Sequence, residues 1–124
     1  MANDRPKLGI LGGMGPQATL ELCQRIVDYT DADRDQDHIP TLIYNDTWIP
    51  DRTGAILGGD AQRCYEALLS GGRVLEGAGC SILAIPCNTS HYFAARLQED
   101  LGGMKLLHMV RESAAVLAQR GCRR

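Results

Sequence analysis

The sequence predicts an α/β fold: a parallel sheet of about four strands with helices on both faces. Three observations lead there. Short apolar runs alternate with segments of helical period from one end of the chain to the other, the pattern of parallel strands joined by crossover helices. Three of those runs break into turn or cap residues, at Gly12-Gly13-Met14-Gly15-Pro16, Asn45-Asp46 and Cys87-Asn88-Thr89. The 124 residues are 44% hydrophobic and 23% charged, enough for one domain (1–124) with a real core, or for half of a larger unit.

Taken in order, Lys7 to Leu11 reads as the first strand. A helix comes next, with Pro16 in its first turn and Ala18, Leu22, Cys23, Ile26 and Val27 on one face. Asp28 to His38 is polar and rich in aspartate, a loop. Its alternating Asp31, Asp33, Asp35 and Asp37 miss the calcium-loop pattern, which requires Gly at Gln36 and Glu at Leu42. Thr41 to Tyr44 is the second strand, and Thr47 to Gly59 reads as irregular. A second helix starts near Asp60, with Ala61, Cys64, Tyr65, Leu68 and Leu69 at helical spacing. Gly71-Gly72 should interrupt it, at roughly 1 kcal/mol per glycine. Ser81 to Pro86 is the third strand, succeeded by a short helix from Ser90 to Leu101. Gly102-Gly103 turns into a fourth strand, Lys105 to Met109. The last helix runs from Arg111 to Arg120, with Gly121 as its stop.

Composition narrows the function. Net charge is −2, and Trp48, Phe93 and four tyrosines are the only aromatic residues, which argues against a nucleic-acid surface. No apolar run reaches a membrane span and residues 1–7 carry no signal-peptide core, so the cytoplasm is the expected compartment. The five cysteines are widely spaced without a C-x-x-C pair, and His38, His91 and His108 lie far apart, so neither a disulfide framework nor a metal site is expected. Only Lys7 and Lys105 could form a Schiff base, and both open strands at the edge opposite the glycine-rich and Cys87 turns. No cofactor is expected.

Cys87 carries the strongest chemical signal. It ends a buried strand and precedes Asn88 and Thr89, residues that favour helix N-caps. A thiol there would face the N–H groups of a helix start, which favour a thiolate. The alternative is a buried structural cysteine. His91, four residues on, is better suited to ordering the junction than to acting as a base, since no third group completes a Cys-His pair. Gly13-Met14-Gly15-Pro16-Gln17-Ala18 fits the dinucleotide pattern G-x-G-x-x-A. However, Pro16 removes an N–H from the turn, and Asn45 stands where a ribose-binding acid should close the second strand. Arg52 suits a bidentate grip on a carboxylate.

The sequence resembles the aspartate/glutamate racemase family. The likeness rests on Leu11-Gly12-Gly13-Met14-Gly15-Pro16, Ile49-Pro50-Asp51-Arg52 and Pro86-Cys87-Asn88-Thr89, each after its expected strand. It covers nearly the whole chain, but only the N-terminal half of the family's usual two-domain length. The resemblance implies a cofactor-independent racemisation of aspartate- or glutamate-like amino acids, with one cysteine on each face of the α-carbon. Cys87 matches the first catalytic cysteine. Asn88 and Thr89 match residues that hold the substrate carboxylate, Arg52 a position for the side-chain carboxylate, and Met14 and Asn45 the pocket lining. The second cysteine belongs to the family's C-terminal domain, whose motif this sequence lacks. The resemblance therefore implies a site completed by that missing half, or by a homodimer that sets Cys87 against its copy. The alternatives are a non-catalytic remnant or fragment that binds a small carboxylate and, less favoured, a Rossmann-like nucleotide-binding module.

Overall fold

A computed structural model describes residues 5–121. Cys122 lies outside the described residues. Strands β1 (Leu8–Gly12), β2 (Thr41–Asn45), β3 (Ile82–Ala84) and β4 (Lys105–Leu106) form one sheet in the order β2-β1-β3-β4. All three pairings are parallel, with Leu8 opposite both Thr41 and Ile82, and Ile82 opposite Lys105.

Helices α1 (Pro16–Tyr29), α2 (Arg52–Gly58), α3 (Ala61–Gly77), α4 (Ala94–Asp100) and α5 (Met109–Gln119) fill the connections, with 3-10 turns at Asp35–Asp37 and Thr89–Phe93. The pleat shows that helices lie on both faces. A Cβ placed on Gly12 would strike Thr19 of α1, whereas Leu11, pointing the other way, meets Gly71 of α3. The core lies on the α3 side, where Leu11, Tyr65, Leu68, Leu75, Leu83 and Leu97 are almost wholly buried.

The structure corrects several boundaries. Residues 47–59 are not wholly irregular, because α2 starts at Arg52. Asp51 caps it, its Oδ2 accepting from the Gly54 N–H at 2.8 Å. The helix is short and contains glycine and threonine, so its periodicity is weak. Gly71-Gly72 does not interrupt α3, which runs unbroken for 17 residues. These glycines permit close packing. A Cβ at Gly71 would lie 2.6 Å from Leu11 Cδ1, and one at Gly72 2.5 Å from Leu101 Cδ1. The segment after Cys87 is a 3-10 turn leading into α4, not one helix from Ser90. Strands β3 and β4 are shorter than the apolar runs suggest, and α5 begins at Met109, inside the expected fourth strand.

Candidate active site

Strand order decides where a ligand would sit. From β1 the chain moves to β2 on one side and then returns to β3 on the other. The carboxyl ends of β1 and β3 therefore flank a topological switch point, where open parallel sheets bind ligands. The Gly-rich loop after β1 and the Cys87 loop after β3 meet there. Ser90, fully buried, donates from Oγ to Met14 Sδ at 3.4 Å, so the two loops are in direct contact.

The Gly-rich loop is held from within. Thr19 Oγ1 accepts from the Gly13 N–H at 3.0 Å and donates to the Gly15 carbonyl at 3.1 Å. Gly13 has φ +97°, and a Cβ on it would lie 2.2 Å from the Asp46 carbonyl oxygen. Only glycine lets the backbone at the β1 tip touch that at the β2 tip. The Gly13 N–H, which a bound pyrophosphate would need, is already committed to Thr19.

Cys87 is 9% exposed, at the rim of the same core cluster that holds Met14, Ile49, Cys64 and Phe93. Its N–H donates to Ile85 O at 2.8 Å, turning the chain sharply around Pro86. Asn88 and Thr89 come next, on the exposed side. Asn88 starts the 3-10 turn with αR backbone angles, and its side chain makes no capping hydrogen bond. The expected side-chain cap is thus absent. The chain leaves Cys87 through a 3-10 turn, and the first α-helical N–H groups lie beyond Phe93.

Arg52 reaches this edge through its helix, since α2 packs against the 89–93 turn. Half-buried, it donates from Nη1 to the Ile49 and Pro50 carbonyls at 3.4 Å each. Asn45 ends β2 opposite Gly12 and is exposed. It is separated from the Cys87 loop by β1 and has no direct bond to it. Met14, Cys87, Asn88, Thr89 and the start of α2 thus converge, while Asn45 stands at the margin.

The other described thiols are placed differently. Cys23 is half-buried on α1, and Cys80 is buried before β3, at the opposite end of the sheet. Cys64 on α3 is fully buried and donates to Pro50 O at 3.7 Å. Burial pushes its thiol up; Arg52 opposes that shift and the nearby Cys87 adds to it. Among the described residues, no three His, Cys, Asp or Glu side chains are grouped to hold a metal ion.

Thr19 and Ser90 support the site without having been singled out in the sequence, and Ile49 entered it only as part of the motif that ends on Arg52. Thr19 alone had a readable signal, as a hydroxyl among the apolar positions of α1. The resulting edge offers a thiol, an amide, a hydroxyl and a guanidinium, groups suited to moving a proton and holding carboxylates.

A model of the family described as Asp/Glu/Hydantoin racemase matches residues 11–124. The broad specificity amino-acid racemase RacX of Bacillus subtilis (strain 168) is 32% identical over 110 residues, covering 86% of this chain and 47% of RacX. The aspartate racemase of Picrophilus torridus superposes with a TM-score of 0.79 at 32% identity, over 94% of this chain and 48% of that one. An aspartate racemase homologue from Pyrococcus horikoshii OT3, at 21% identity and a TM-score of 0.77 over 93% of this chain and 50% of its own, shares the fold. This chain spans about half the length of the relatives it matches. With that match over nearly its whole length, the chain belongs to the Asp/Glu/Hydantoin racemase family.

Proposed function

We propose that this chain supplies one half of a cofactor-independent, two-base amino-acid racemase site acting on an aspartate- or glutamate-like substrate. The observation that carries the reading is the placement of Cys87 at the switch point, with the Met14 loop bound to its own loop. In this reading Cys87 takes the α-proton as a thiolate or delivers one as a thiol. Asn88 and Thr89, exposed beside it, receive the α-carboxylate. Arg52, at the start of α2, receives the side-chain carboxylate, and its two long bonds to backbone carbonyls are weak enough to exchange for one. Met14 lines the floor and Asn45 the margin.

A two-base inversion needs a second acid/base on the opposite face of the α-carbon. Cys23 and Cys80 are remote from this edge, and Cys64 is sealed in the core. None of these described thiols is placed to serve, so in this reading the second group comes from beyond the described residues of this copy. Its sources are the remaining half of such an enzyme or, in a symmetric pairing, Cys87 of a second copy.

Incubation with L-aspartate, and separately L-glutamate, in D₂O tests this by NMR at the α-proton. Exchange that is lost in Cys87→Ala is the expected result. Accompanying D-enantiomer would show a complete two-base site, and exchange without inversion a single competent base. Absence of exchange in the presence of a partner half carrying the second thiol would refute the reading. Thermal stabilisation by the acid without exchange would instead favour a carboxylate-binding remnant.

A further inference from the structure

Two bonds of His91 carry an inference beyond that reading. His91 is buried, 8% exposed, on the 3-10 turn just after Cys87. Its Nδ1 lies 2.8 Å from the Cys87 carbonyl oxygen, which can only accept. Its Nε2 lies 3.1 Å from the Met109 amide nitrogen, which can only donate. Both contacts are satisfied by one arrangement, with the proton on Nδ1 and a bare Nε2. The ring therefore ties the backbone of Cys87 to the first residue of α5. His108 packs its ring against the same imidazole, centroids 4.9 Å apart.

Ser90 fixes the turn to the β1 loop through Met14, but only His91 bonds directly to Cys87 itself among the described side chains. We infer that His91 is a positioning residue. By bridging the Cys87 carbonyl and the Met109 amide, it holds the thiol-bearing residue at the rim and couples its placement to α5. The inference rests on reading Cys87 as the proton-transferring group, and its geometry stands without any turnover.

The two bonds are separable by substitution. His91→Asn places an amide N–H near the position of Nδ1 and keeps the Cys87 bond while dropping that to Met109. His91→Gln reaches the position of Nε2, keeps an acceptor for Met109 and loses the bond to Cys87. Both remove the aromatic ring, so a role in packing alone would affect them alike.

The test has two parts, neither of which measures racemisation. Nitrogen-15 NMR of the wild-type imidazole should show the Nδ1–H tautomer; an Nε2–H tautomer would overturn the inference, whatever the variants do. Iodoacetamide labelling of Cys87, with mass spectrometry of its peptide, reads how often the loop opens. His91→Gln should speed labelling by about fivefold, the effect of losing one net hydrogen bond, while His91→Asn stays within about twofold of wild type. Equal rates in both variants, or a faster rate in His91→Asn, would overturn it. If His91→Gln fails to fold, the tautomer measurement decides. A correct tautomer and labelling pattern without α-proton exchange would sink only the proposed activity.

Discussion

Helices α1 and α3 cover opposite faces of one sheet, yet they are packed very differently. Six of the 17 residues of α3 are buried, against Thr19 alone among the 14 of α1. On α1, Leu20 and Val27 are more than half exposed, and Ile43 on the adjoining edge strand is 45% exposed. On α3, Tyr65, Leu68 and Leu75 disappear into a cluster that also contains Phe93, Leu97 and Cys87. The difference shows where the site draws its rigidity. The Cys87 loop hangs from the α3 side, whereas α1 meets the candidate edge at the Gly-rich loop, which it grips through the hydroxyl of Thr19.

The sharpest break of that comparison is a matched pair of truncations. Leu68→Ala removes a fully buried side chain and leaves a cavity, and should lower unfolding stability by about 2–5 kcal/mol. Leu20→Ala, at a site 58% exposed, should change it by less than about 0.5 kcal/mol. Urea denaturation of both variants reads the result. Comparable losses would mean that α1 is as deeply packed in solution as α3.

Much of this architecture is legible in the sequence alone, and the exceptions have physical causes. The strand–helix alternation places all four strands and the Cys87 loop, because parallel strands joined by helices leave short apolar runs, although only β1 is buried along its whole length. Gly71-Gly72 misleads because propensity treats glycine as a helix breaker. Here the missing Cβ atoms let α3 approach Leu11 and Leu101, and packing outweighs propensity. Helix α2 is hidden because a seven-residue helix shows too little periodicity, although Asp51 is a readable cap. At the site, motif order points to Met14, Arg52 and Cys87. The sequence assigns His91 to ordering the junction after Cys87, but the Ser90–Met14 and His91–Met109 contacts are not legible, since each joins residues whose proximity depends on the fold.

A smaller effect sharpens the same contrast through pH. Tyr65 donates its hydroxyl to Asp100 and lies beneath Arg96, whose guanidinium carbon is 3.8 Å from the ring centre. Burial first, then the Asp100 carboxylate, pushes its pKa up from 10.0 to about 12. The folded state therefore keeps a proton that the unfolded chain loses between those values. Stability is full below about pH 10 and falls as pH rises towards 12, by on the order of 2 kcal/mol from this group. Cys64 and Cys80, also raised by burial, add losses of the same sign from about pH 9 upward. Tyr65→Phe should flatten the decline between pH 10 and 12 and leave the thiol contribution. An unchanged slope in that variant would show that Tyr65 titrates freely, and that the α3 face is looser than its burial indicates.

The smallest stability effect belongs to α5, the least covered helix. None of its residues is buried, and Val116 and Leu117 are about half exposed on one side. It is fastened at its start, where Met109 bonds to His91 and His108 Nδ1 accepts from the Arg111 N–H. A side chain with no partner contributes little to folding but offers apolar surface for association. Leu117→Glu should thus shift unfolding stability by less than about 0.5 kcal/mol. In sedimentation at high concentration it should reduce self-association relative to wild type. A loss above about 1 kcal/mol would mean that α5 folds down onto the sheet in solution. In that case the His91 tether would be one fastening among several, and the coupling between α5 and Cys87 correspondingly weaker.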